Sequence, residues 1–270
     1  MLRAYDGIEV AGRRLECAWL GPAPSPDPDG PPTLVFLHEG LGCIALWRDF
    51  PAKLVQATGL GGLVYSRFGY GGSDPCALPR PITYMHDEGL EVLPALLAAA
   101  GIGRAILVGH SDGASIALIY AGGTPAKGLA GMILEAPHVF MEDRNVNAIR
   151  AMRETYDTTD LRARMAKYHG DNVDCAFRGW SEPWLGAGFN TWNLEKYLPG
   201  VCADGPVPTL VIQGADDEYG TIAQCRAIEQ GIGPQATTLF LPGCGHAPHQ
   251  QMPGRILAAM AGHIQRMVQA

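Results

Sequence analysis

The chain has 270 residues, of which 47% are hydrophobic and only 17% charged, the composition of a compact globular protein with a sizeable core rather than a disordered one. A net charge of −7 without a basic stripe argues against nucleic acid or anionic membrane as the main partner. No apolar run approaches the ~20 residues a membrane helix needs, and Met1-Leu2-Arg3-Ala4-Tyr5-Asp6 carries an acid where a secretion signal needs an apolar core. A cytoplasmic location is therefore expected. The seven cysteines agree with it, being scattered, odd in number and free of any C-x-x-C pair.

In chain order, Leu2 to Leu20 reads as a strand pair, broken at Asp6-Gly7 and again at Ala11-Gly12. The Pro-rich stretch from Gly21 to Pro32 is a surface loop, since too little chain precedes it to fold alone. Thr33–Leu37 is a buried strand, and Leu46, Phe50 and Leu54 mark one face of a helix. Gly62–Ser66 is the next strand, followed by the turn-rich run Arg67 to Pro75 and a helix from about Tyr84 to Ala100. Ala105–Val108 is a strand leading into a small-residue helix from Ala114 to Tyr120. Ala130–Glu135, Pro208–Gln213 and Thr237–Leu241 complete the strands, and a closing helix carries Ile256, Met260, Ile264 and Met267 on one side. Continuous apolar strands alternating with helices predict an α/β fold whose mostly parallel sheet is covered on both faces.

About 70 residues separate the strand ending at Glu135 from the one starting at Pro208, far more than a parallel crossover needs. The excess is helical in pattern and rich in aromatics: Phe177, Trp180, Trp184, Phe189 and Trp192. It reads as a helical cap, residues 138–199, inserted into a core of 1–137 and 200–270, over the strand C-termini where open α/β sheets bind ligands. Some of its aromatics form the cap's own core, and Trp180 and Trp184 are the candidates to reach the substrate.

Gly109-His110-Ser111-Asp112-Gly113 stands between a buried strand and a helix, the setting of a G-x-S-x-G nucleophile turn. A serine hydroxyl needs a base, and a histidine base needs a carboxylate to fix its tautomer. In this architecture the chain order should be Ser, acid, His, each after a strand. Asp216-Asp217-Glu218 follow one late strand, and three acids there are costly unless one is paired or used. Gly245-His246 follows the next, with His249 its near competitor among eight histidines. Cys244 beside His246 reads as a small buried thiol rather than half of a metal pair. A second oxyanion donor besides the Asp112 N–H should come from the loop His38-Glu39-Gly40-Leu41-Gly42, with Gly40 N–H as the candidate.

With these segments the chain resembles the α/β-hydrolase superfamily, in its capped group of small esterases and carbon–carbon bond hydrolases, from about Thr33 to the C-terminus. Gly214-Ala215-Asp216-Asp217 is similar to that family's G-x-x-D acid loop, which selects Asp217. The run Tyr65 to Ser73 resembles its Arg/Gly-rich turn, and Gly245-His246 its G-H. The resemblance implies an α/β-hydrolase fold of about eight strands with Ser111, Asp217 and His246 as the catalytic residues.

One departure stands out: the first-strand loop usually begins His-Gly, whereas here it is His38-Glu39-Gly40. A carboxylate beside an oxyanion site opposes the developing charge, so Glu39 is expected to face away or to pair with a cation, Arg67 and Arg48 being the options. Alternatively it shapes substrate choice. The expected activity is acyl transfer from a small ester or thioester to water. The alternatives are hydrolysis of a carbon–carbon bond in a diketone and, from another class, a non-catalytic ligand-binding relative. No G-x-x-x-x-G-K-[ST] or H-E-x-x-H occurs, and no G-x-G-x-x-G sits in a nucleotide-binding context, so neither cofactor nor metal is expected. Self-association into a homo-oligomer stays open.

Overall fold

A computed structural model of the chain describes residues 6–269. Its eight strands are β1 (Asp6–Val10), β2 (Arg13–Leu20), β3 (Thr33–Leu37), β4 (Gly61–Tyr65), β5 (Ala105–His110), β6 (Leu129–Glu135), β7 (Thr209–Gly214) and β8 (Ala236–Leu241). They form one sheet in the order β1-β2-β4-β3-β5-β6-β7-β8. β1 and β2 run antiparallel at one edge, and every pairing from β4 to β8 is parallel.

The continuous apolar strands follow from this topology, because successive side chains enter opposite layers and both layers are covered. Val35 and Leu37 of β3 join one core with Leu107 of β5, whereas Leu34 and Phe36 join the other with Ile106 and Val108. The second layer is sealed by α1 (Phe50–Thr58) and by the C-terminal helix described below. The first is sealed by α2 (Tyr84–Asp87), α3 (Leu93–Ala99) and α4 (Asp112–Gly123).

The segment between β6 and β7 contains α5 (Asp143–Thr158), α6 (Leu161–His169) and α7 (Val173–Leu185), then two short 3₁₀ stretches, Ala187–Thr191 and Glu195–Gly200. Tyr156 stacks on Phe177 at 3.7 Å between ring centroids and Phe189 on Trp192 at 5.1 Å, so these rings form the segment's own core. Asn172 ties it to the turn after β4, its amide donating to the carbonyls of Gly71 (3.1 Å) and Ser73 (2.7 Å). The Cys76 and Cys175 Sγ atoms meet there at 3.2 Å as thiols. After β7 come α8 (Ile222–Ile232), α9 (Pro248–Gln251) and α10 (Pro253–Gln269). Ile256, Met260, Ile264 and Met267 all point from α10 into the core, as their spacing predicts.

Three expectations need correction. Asp6-Gly7 does not interrupt the first strand but opens β1, while the expected stretch Leu2 to Tyr5 lies outside the described residues. Leu46 does not share a helix with Phe50 and Leu54. Ile44–Trp47 is a separate 3₁₀ turn that ends where Arg48 takes φ +55°, and α1 starts afresh at Phe50 with Pro51 in its first turn. The helix expected from Tyr84 to Ala100 widens into a π turn at Glu88–Val92. Pro94 accounts for it, having no N–H to donate and a ring that clashes with the carbonyl four residues back.

Gly113 marks the tightest crossing in the fold. A Cβ there would run into the Leu37 carbonyl where α4 starts beneath β3, and one on Gly109 would meet Gly113 and Ala114. Gly113→Ala is expected to lower unfolding free energy by about 3 kcal/mol in urea titration, the upper range for overpacking a fitted site. A loss below ~0.5 kcal/mol would show that the crossing yields.

Candidate active site

Ser111 is the residue between β5 and α4, with φ +54° and ψ −117°, a conformation that costs a non-glycine residue about 1–3 kcal/mol. Its backbone is held by neighbours: Ser111 N–H donates to the Glu135 carbonyl at 2.8 Å, and its own carbonyl accepts from Ala114 and Ser115. The strained turn lifts the hydroxyl off the strand line and towards the loop after β8.

There the His246 Nε2 atom lies 2.9 Å from Ser111 Oγ. The other ring nitrogen, Nδ1, is 2.9 Å from both carboxylate oxygens of Asp217, in the loop after β7. Asp217 is fully buried and also accepts from Gln213 Nε2 (2.8 Å) and the backbone N–H groups of Tyr219 (2.7 Å) and Gly220 (3.3 Å). Burial alone would raise its pKa, but the His246 ring and these donors overcome that and hold it well below the usual carboxylate range. A charged acid on Nδ1 keeps the imidazole in the tautomer whose Nε2 can accept a proton from serine. His249 does not compete for this place: its ring nitrogen is committed to Glu135 at 2.7 Å. Cys244 Sγ points to Gln251 at 3.3 Å.

The orientation of the two candidate donors follows from peptide geometry. The Glu39 carbonyl accepts from His38 Nδ1 (2.7 Å), Arg67 Nη2 (2.9 Å) and Gly42 N–H (3.1 Å). In a planar trans peptide the C=O and the next N–H point opposite ways, so pinning that oxygen into the protein turns the Gly40 N–H towards the cavity. Asp112 N–H is the first amide of α4, where helical donors have no internal partner and the dipole favours negative charge. Both residues line a cavity of about 440 Å³, open mouth included, with Ser111 and His246.

The rest of that lining is Glu39, Leu41, His138, Asn145, Ile149, Trp180, Trp184 and Tyr219. Trp180 and Trp184, both from α7, are among the residues that line the cavity. The Trp180 indole lies directly on Gly40, where any Cβ would overlap it. Trp184 Nε1 donates to Tyr84 Oη (2.9 Å), which donates to Asp112 Oδ2 (2.6 Å), and Arg67 faces the same carboxylate oxygen at 3.5 Å. The Asp112 side chain is thus linked through Tyr84 to Trp184 at the cavity wall.

Glu39 pairs its carboxylate with neither of the expected cations. Arg67 takes its carbonyl, and its carboxylate lies 3.5 Å from His110 Nδ1. His110 alternates to the far side of the strand end from Ser111 and so comes to lie under the loop after β3.

Three contributors lie beyond the sequence motifs. His138 stacks on His246 at 5.7 Å and accepts from Asn145 Nδ2 at Nδ1, 3.2 Å. Asn145 also donates to the Tyr219 carbonyl, and its oxygen accepts the Glu142 N–H at 2.7 Å, which fixes which end of the amide is which. Burial, then the charge of His246, drives His138 down to about 3, so it is a neutral imidazole with its proton on Nε2. Tyr219 covers the other side of His246 at 4.6 Å. A position just after strand β6, the same kind of place that holds Asp217 and His246, is the signal that would have singled out His138.

His110, Glu135 and His249 place three potential metal ligands within 4.8 Å of one another. Their polar atoms serve one another: both Glu135 oxygens accept from His249, through its N–H and its Nδ1. Hydrogen bonding and charge pairing account for the cluster.

Tyr84→Phe should expose how far the roof is tied to the elbow. It leaves Trp184 Nε1 unpartnered and Asp112 with Arg67 alone, which is expected to cost about 1–3 kcal/mol in denaturant titration. An unchanged midpoint would show that the chain of bonds contributes nothing.

A model described as the alpha/beta hydrolase family matches residues 34–259. No curated protein matches the chain in sequence. Among solved structures, an esterase from Exiguobacterium antarcticum superposes with a TM-score of 0.74 at 16% identity, covering 97% of this chain and 100% of its own. A proline iminopeptidase from Mycobacterium smegmatis gives 0.71 at 18% identity, covering 98% and 99%. A meta-cleavage product hydrolase from Pseudomonas fluorescens gives 0.69 at 16% identity, covering 97% of each chain. Identities this low compare folds and leave chemistry to the residues themselves. Since the match spans all but the two ends, from the strand preceding Glu39 to the closing helix, the chain belongs to the alpha/beta hydrolase family.

Proposed function

We propose that the protein is a serine hydrolase that cleaves a small carboxylic ester or thioester through an acyl-enzyme on Ser111. The observation that carries this reading is the unbroken line Ser111 Oγ, His246 Nε2, His246 Nδ1, Asp217, with 2.9 Å at each gap. Ser111 attacks the substrate carbonyl as its proton passes to His246, and Asp217 stabilises the imidazolium that results. The C–O⁻ of the tetrahedral intermediate accepts from the Gly40 and Asp112 amides. Collapse breaks the bond to the alcohol or thiol, which takes the proton from His246. Water, deprotonated by the same base, then attacks the acyl-enzyme and releases the acid.

The segment between β6 and β7 acts as a cap that sets what enters. Trp180, Trp184, Leu41 and Ile149 make its contribution and the facing wall largely apolar, which favours a compact acyl group. The polar exceptions are His138, as a neutral Nε2–H donor, and Glu39, whose carboxylate turns back under its own loop.

Ser111→Ala is expected to lower turnover by about 10⁶ if the three residues act as a unit. Side-by-side rates on aryl esters, acyl thioesters and vinylogous diketones identify the scissile bond, with esters or thioesters preferred in this reading. A Ser111→Ala protein that keeps more than a tenth of the wild-type ester rate would overturn it.

A further inference from the structure

The Glu39 carboxylate does not point at the oxyanion site. It folds back under its own loop, so that a Cβ on Gly42 would meet it, and Oε2 comes to 3.5 Å from His110 Nδ1. The other nitrogen of that ring, Nε2, lies 2.7 Å from the His246 carbonyl. A carbonyl only accepts, so Nε2 bears a proton, and Nδ1, facing a carboxylate, is the place for a second. His110 is therefore a strut across three loops. Its backbone adjoins Ser111, one nitrogen holds the loop of the base, and the other holds the loop that carries Gly40.

Its surroundings are charged on several sides. Glu39 faces it from the loop after β3 and Glu135 from the end of β6. The His246 ring lies at 5.2 Å and the His249 ring, from α9, at 5.1 Å, with Trp47 at 6.3 Å and His138 beyond His246. Glu135 is occupied by His249 at 2.7 Å, which leaves Glu39 to His110.

We propose that His110 is a positioning residue: as a cation it neutralises Glu39 beneath the oxyanion loop and ties that loop to the His246 loop, holding donors and base in register around Ser111. The inference rests on Ser111 being the nucleophile. Without the ring's charge, a half-buried carboxylate would stand uncompensated next to the amide that meets the developing oxyanion, and would oppose it.

Burial on its own would lower the His110 pKa, but the Glu39 carboxylate 3.5 Å away and the charge of Glu135 outweigh it and push it up to about 9. Because it is raised, the cation is present at neutral pH and lost as pH climbs through that value. Burial would raise Glu39, yet His110 draws it well below the usual carboxylate range, so the pair stays ionised together. A serine with a histidine base works with that base neutral, so its rate is expected to level off on the alkaline side. A fall there is the signature of His110.

The test is the rate at which a fluorophosphonate probe labels the full chain, followed from neutral to alkaline pH. Wild type should reach a plateau and then slow by about tenfold per unit well above pH ~9, and Glu39→Gln should abolish that fall. His110→Gln should label about 100-fold more slowly near pH 8, and adding Glu39→Gln to it should restore at least about tenfold, since the uncompensated charge is then gone. A flat alkaline profile in wild type, or a double variant as slow as His110→Gln, overturns the proposal. If the wild-type chain is not labelled at all, the nucleophile assignment fails instead. Should the variants misfold, ¹⁵N NMR of wild-type imidazoles decides: both His110 nitrogens protonated at neutral pH supports the proposal, and a neutral ring overturns it.

Discussion

The crossing of β5, α4 and β3 at Gly109 and Gly113 governs how everything else in the site is placed. Only where both positions lack a Cβ can α4 start so close under the Leu37 carbonyl. That closeness holds Ser111 in its strained conformation and keeps the Asp112 amide at the mouth of a helix. The cost of about 1–3 kcal/mol for the Ser111 backbone is offset by packing on both sides and by the bond to the Glu135 carbonyl. The hydroxyl is thus presented by a rigid scaffold, and Asp217 and His246 need only reach it from the ends of β7 and β8.

Around that crossing the buried charges fall into two sets. Arg67, Asp112, Tyr84 and Trp184 run from the turn after β4 through the elbow into α7. Glu39, His110, Glu135 and His249 lie on the other side of the same strand end. Buried ion pairs add little net stability, because desolvation consumes most of their attraction, but breaking one leaves a bare charge at high cost. Such sets are therefore better at fixing relative position than at holding the fold together. Position is what a site built on five separate loops requires.

The sheet was legible in the sequence because doubly covered parallel strands must be largely apolar, and Thr33–Leu37, Ala105–Val108 and Pro208–Gln213 are. Ser111, Asp217 and His246 were legible because each stands at a strand's C-terminal end in a fixed order. What escaped depends on distance in space. No local pattern says that His110, adjacent to the serine, turns away to meet Glu39 about 70 residues earlier. Asn145 was hidden because its role comes from contacts with His138 and Tyr219, which the chain brings together only on folding. The break at Arg48 was invisible for a different reason: its positive φ belongs to a residue with no special preference for it, imposed by Trp47 and Phe50 both packing inward.

The indole of Trp180 resting on the Cα of Gly40 bears on how such a protein diversifies. Residue 40 is confined to glycine by a side chain on α7 rather than by its own backbone. The two positions therefore form one evolutionary unit, although they lie 140 residues apart. A lineage that shortens Trp180 gains room for a bulkier substrate and also frees position 40 to vary. A lineage that first changes Gly40 displaces the ring from the roof and reshapes the pocket before any substrate arrives. The order in which such changes accumulate is then constrained, with the tryptophan leading.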